Sequence, residues 1–134
     1  MDTSIAQGTL LEKSDESIVL GLPHTDYQIH LLASPSPDSD VKKPIAGRIC
    51  ARAMRVDIAK AGGRFIEPVY GRPRRLQGRI IATDAAANTI TVKAACPIVC
   101  ELTANQQAGE MPIGAIATFD VQSGATFKPI TQES

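Results

Sequence analysis

The chain predicts an all-β domain: a single small Greek-key barrel with one short helix near residues 104–108. Three observations point there. The apolar residues are mostly branched, with 21 Ile and Val against 11 Leu and Met, and β-branched side chains suit a pleated surface. Glycine leading an aliphatic run recurs as a strand opening, in "GTLLE" at Gly8, "GRICA" at Gly47, "GRIIA" at Gly78 and "GAIAT" at Gly114. The apolar runs are short and punctuated by Gly, Asn and Pro, the spacing of an all-β barrel or sandwich.

At 134 residues the chain is long enough for one core, so residues 1–134 read as a single domain. The first two strands lie in "GTLLEKSDESIVLGLP", with Asp15-Glu16-Ser17 at the turn. A third is expected at Tyr27–Ala33, completing an N-terminal β meander over 5–33. "SPSPDSDVKKP" (Ser34–Pro44) is a loop, because its prolines lack the donors a ladder requires. The main barrel is expected over 45–130.

"PIAGRICARAMRVDIAKAGG" admits two readings. As a helix it has Pro44 in the first turn and Gly62-Gly63 as a stop. As a strand it matches "GRIIATD", and Gly62-Gly63 makes a hairpin turn into "RFIEPVYG". Gly47 inside the run favours the strand. Further strands are expected at Arg64–Tyr70, Ile98–Thr103, Gly114–Val121 and Thr126–Ile130. "GRIIATDAAANTITVKAACP" repeats the strand–turn–strand–proline order of the first hairpin, which raises an internal duplication. The helix is expected in "TANQQAGEM", where Thr103 and Gln106 have capping-box spacing and Gly109 ends the run.

The run from Leu76 to Phe127, "LQGRIIATD" through "NTITVKAACPIVCELTANQQ" to "IGAIATFDVQSGATF", resembles part of an OB-fold. That family arranges three strands, a short helix and a Gly-led strand around a small barrel. The resemblance covers under half the chain and implies a fold, with no fixed site residue.

Charge is unevenly placed. Eleven Lys or Arg lie between Val41 and Arg79 against Asp57 and Glu67 alone, a net +9, and the remainder carries −9. Guanidinium forks match carboxylate and phosphate oxygens, and ring faces can stack bases. The candidate partner-binding residues are therefore Arg48, Arg52, Arg64, Phe65, Tyr70, Arg72, Arg74 and Arg75. The expected function is a non-enzymatic binding module with a protein partner or a second copy of itself. Single-stranded nucleic acid is the alternative, in which Arg72, Arg74 and Arg75 hold phosphates while Phe65 and Tyr70 stack. A third reading is an enzyme with a site near His24 and His30, served by Asp26, Glu67 or Asp84.

Other classes find no support. P-loop, dinucleotide-binding and zinc-protease motifs do not occur. Cys96 and Cys100 on one strand would lie roughly 13 Å apart, too far for a disulfide or shared zinc. With Cys50 they read as small buried hydrophobes. No metal, cofactor or membrane association is expected, and a reducing, cytoplasmic setting is the expectation.

Overall fold

The computed structural model describes residues 4–33, 37 and 40–130. Residues 34–36, 38 and 39 of the expected loop after Ala33 lie outside these residues. The strands are β1 (Ile5–Lys13), β2 (Ser17–Gly21), β3 (Gln28–Leu32), β4 (Pro44–Arg52), β5 (Asp57–Ala59), β6 (Phe65–Glu67), β7 (Tyr70–Gly71), β8 (Arg75–Asp84), β9 (Thr89–Lys93), β10 (Pro97–Glu101), β11 (Ile116–Asp120) and β12 (Thr126–Pro129). The protein is all-β, and its helical content among the described residues is one 3-10 turn, Ala108–Glu110.

Five strands close into a barrel. β1 pairs with β2, β2 with β3, β3 with β12, β12 with β4, and β4 returns to β1. All these pairings are antiparallel except β3 with β12. Strand alternation points Leu10, Ile18, Leu20, Ile29, Leu31 and Ile49 inward, where all are fully buried. Each such side chain stabilises the fold by about 1.5–3 kcal/mol relative to exposure.

The pairings then continue into a second ring. β4 leaves β1 after Arg48 and takes β10 in parallel from Cys50 to Arg52. β10 pairs with β9, β9 with β8, and β8 with β11. β11 meets the segment beyond β4 through the Ala53–Val121 bridge and then β5. Leu76, Ile80, Ile90, Ile98 and Phe119 fill this ring, and their burial is continuous with the first ring in one core cluster.

The two rings follow one plan. β1–β2 and β8–β9 each carry a bulge, after Leu10 and after Ile80. Gly8 faces β4 where Gly78 faces β11. In each ring the third strand pairs in parallel with a strand supplied by the other half of the chain: β12 beside β3, and the end of β4 beside β10. The likeness of the two sequence hairpins thus extends to their ladders.

Three expectations change in detail. Residues 44–52 are strand, yet Gly62-Gly63 does not close a hairpin, because β5 pairs with β11 and β6 with β8. The expected strand over Arg64–Tyr70 divides into β6 and β7 around Pro68, whose nitrogen has no proton to donate. The helix expected near 104–108 is a turn followed by the 3-10 turn. Its groups are engaged elsewhere. Asn88 Nδ2 donates to the Gln106 carbonyl at 2.9 Å, and Asn88 Oδ1 accepts from the Ala108 N–H at 2.8 Å. Gln106 spans the Val56 backbone, its Oε1 accepting from the N–H at 2.8 Å and its Nε2 donating to the carbonyl at 2.9 Å. A side chain that fixes β5 in this way is not free to cap a helix.

Glycine is required where the ladders crowd. A Cβ at Gly78 would land on the backbone of Lys93 and Ala94, and one at Gly47 on the Lys128 carbonyl and the Phe127 ring. At Gly63 it would meet open space. Gly47→Ala and Gly78→Ala should each cost about 1–3 kcal/mol in urea unfolding, whereas Gly63→Ala should stay within about 0.5 kcal/mol. Equal stability of all three variants would contradict this packing.

Candidate binding surface

The arginines do not share one environment. Arg48, Cys50 and Arg52 alternate onto the outer face of β4. Arg48 Nε donates to Ser4 Oγ at 3.0 Å, and Lys128 of β12 stands opposite in the ladder. Arg52 faces Glu101 of β10, and no ion pair joins them. Cys50, Arg52, Val99, Glu101, Thr89, Ser123 and Thr126 line a groove of about 470 Å³ between the rings.

Arg75 is neutralised within the sheet. Its Nη1 donates to Asp120 Oδ1 at 2.8 Å and its Nη2 to Thr118 Oγ1 at 2.9 Å. Glu67 lies opposite on the other flank of β8. Arg55 likewise meets Asp57 at 3.3 Å. Exposed pairs of this kind contribute at most about 1 kcal/mol, but they remove two cations from the set able to meet a partner. Arg79 donates to the Gly114 carbonyl.

Arg52, Arg64, Arg72 and Arg74 remain, all exposed and without a side-chain partner among the described residues. Arg72 and Arg74 flank Pro73, whose ring is buried and anchors the loop. The loop is tied at both ends. Gln28 N–H donates to the Val69 carbonyl at 2.9 Å, and Arg74 N–H to the Glu67 carbonyl at 2.8 Å. β7 lies parallel beside β3, Tyr70 opposite Gln28. Val69 is 50% and Tyr70 58% exposed, so a fixed loop presents two apolar surfaces between basic side chains.

Tyr70 stands edge-on to His30, with ring centroids 4.7 Å apart at 76°. Its T-shaped contact joins the loop to the outer face of β3. Phe65 is half-buried on β6 opposite Gln77. The two aromatics therefore sit on different strands, β6 along β8 and β7 along β3, and no ring contact joins them among the described residues. His24 occupies the turn before β3 with φ of 60°, and His30 Nε2 is buried without a hydrogen-bond partner among the described residues. Neither imidazole hydrogen-bonds Asp26, Glu67 or Asp84 among the described residues.

Composition alone missed the rest of this face. Alternation on β3 turns His30 and Leu32 outward, and Leu32 is 46% exposed. Val19 stands beside His30, and Glu12 beside Val19. Asp15 and Glu16, exposed in the β1–β2 turn, lie just beyond Ser17, the partner of Leu32. The face carries an acidic corner, an apolar middle and a basic loop. The outward Leu32 in "YQIHLLA" was the available signal, readable once the strand's register was known.

Among the described residues no helix is long and apolar enough to cross a membrane, and no group of His, Cys, Asp or Glu is arranged to hold a metal ion. No protein-family model matches the chain, and no curated protein or solved structure matches it either.

The three cysteines are free. Burial pushes the Cys96 thiol up to about 12 and raises Cys100 as well. Cys50 is raised by partial burial, opposed by Arg48 and Lys128. A raised thiol stays protonated at mildly alkaline pH, and the thiolate is the reactive form. Ellman's reagent at about pH 8 should therefore label Cys50 slowly and reach Cys96 and Cys100 only on unfolding. Rapid labelling of all three thiols in the native protein would contradict their placement.

Proposed function

We propose that this protein is a non-catalytic binding module of the OB type that docks an acidic, partly apolar protein surface through the Val69–Arg74 loop. The barrel reading is supported by ring order and by the second half of the chain. There three strands, a 3-10 turn and a fourth strand follow one another, β8, β9, β10, Ala108–Glu110 and β11. The single observation that carries the function is the pairing of exposed Val69 and Tyr70 with Arg72 and Arg74, which lack carboxylate partners among the described residues. Tyr and Arg are the side chains that most often anchor protein interfaces.

A protein fits better than a nucleic acid for an electrostatic reason. OB barrels bind single strands on the face of their second and third strands and the adjoining loops. In the first ring the β1–β2 turn beside that region holds Asp15 and Glu16, and in the second β10 ends on Glu101, with Lys93 the cation at the end of β9. Carboxylates there repel a phosphate backbone, and they leave Tyr70 as a lone stacking ring. Steep loss of affinity with salt is the mark of phosphate binding.

Fluorescence anisotropy separates the readings. A labelled peptide alternating Glu with Leu should bind at low salt, and Arg72→Glu/Arg74→Glu should weaken it about tenfold or more, the loss expected when charges at an interface become repulsive. Labelled oligothymidine should bind more weakly than the peptide. Tighter binding of the oligonucleotide, abolished by the same substitutions, would overturn the reading in favour of single-stranded nucleic acid.

A further inference from the structure

We infer that the partner seated on this face is a second copy of the chain, related by a two-fold axis through the outer surface of β2 and β3. The inference rests on the reading of Val69–Arg74 as a protein-docking loop and adds the identity of what it meets. Its basis is that both halves of a complementary contact occur on one face. On one side stand Arg72 and Arg74, exposed and unpaired among the described residues. On the other stand Glu12, Asp15 and Glu16, also exposed and unpaired among the described residues.

The ladders order the space between them. Glu12 lies opposite Val19, Val19 opposite His30, and His30 against Tyr70. The row thus runs from acid through apolar to the aromatic loop. Along β3 the exposed apolar positions run from Tyr70, beside Gln28, to Leu32, beside Ser17 and the Asp15-Glu16 turn. A two-fold axis near Val19 and His30 exchanges the ends of both directions. It lays the acidic corner of one copy over the basic loop of the other, twice, and brings Val69, Tyr70 and Leu32 of both copies into the space between. A self-complementary patch of this kind closes as a dimer and leaves no surface for further addition.

The contact is electrostatic at its ends, so salt and charge reversal are the levers. The wild-type chain should have a dimer's mass by light scattering at low salt and shift toward the monomer at about 0.5 M salt, where the screening length falls to a few ångströms. Arg72→Glu/Arg74→Glu places acid against acid at both contacts. Asp15→Arg/Glu16→Arg places base against base. Each variant alone should be monomeric under conditions where the wild type is dimeric, with unchanged circular dichroism. Mixed in equal amounts, they should form a one-to-one dimer, since one contact is then native and the other reversed at Asp15 and Glu16. Failure of the mixture to dimerise overturns the two-fold geometry. A wild-type chain that stays monomeric at low salt overturns the second copy as occupant. If that monomer still binds the acidic peptide through Arg72 and Arg74, the docking loop stands while the dimer falls. If the peptide also fails to bind, both readings fall together.

Discussion

β4 belongs both to the closed barrel and to the second ring of strands, and the rest of the structure depends on that sharing. Its first residues complete the ladder of β1, its middle accepts β12, and its last residues run parallel to β10. Every buried backbone group needs a partner, and for this strand those partners come from both halves of the chain. The second half reciprocates by sending β12 into the first ring. Each ring is closed by backbone from the other, so neither has a complete set of ladder partners without its neighbour. The crowding of Gly47 against Lys128 and Phe127 of β12 is the steric sign of this close approach.

That interlocking also decides which charges are available at the surface. The basic stretch of sequence is threaded through both rings, so its cations are dispersed among several faces. Arg75 lands beside Asp120, 45 residues away, and becomes part of the sheet's own charge balance. Arg48 is tied to Ser4, and Arg52 faces Glu101 across the junction. The Pro68–Arg74 loop escapes because it crosses from β6 on the second ring to β3 on the first, held by backbone at both ends. The apparent neutrality of the molecule therefore conceals exposed cations on several faces, and two of them, Arg72 and Arg74, sit on a fixed loop beside exposed apolar surface.

The strands were legible in the sequence wherever one face is buried. "PIAGRICAR" alternates in burial along its whole length, and "SIVLG" and "TITVK" show the same inner pattern in the two rings. What could not be read was pairing across long separations. The order of three strands, a turn and a fourth strand expected within residues 76–127 is present as β8 to β11, yet the ring they form takes its remaining wall from β4 and β5. The expected helix is reduced to the 3-10 turn Ala108–Glu110 because Asn88 and Gln106 direct their hydrogen bonds to groups distant in sequence, which local propensity does not reveal. The candidate surface was legible in part. The arginines and Tyr70 were visible as composition, but Val69, Leu32 and the acidic corner became part of it only through the register of β2 and β3.

Native-state hydrogen exchange, read residue by residue by NMR, tests the interlocking most directly. Amides that open only in global unfolding share one free energy, whereas independent units open separately. With closure exchanged between the rings, Leu20 and Leu31 in one and Ile80 and Val92 in the other should exchange with the same free energy and the same denaturant dependence. Protection in one ring that collapses at a clearly lower free energy, while the other remains intact, would show that the two rings stand separately.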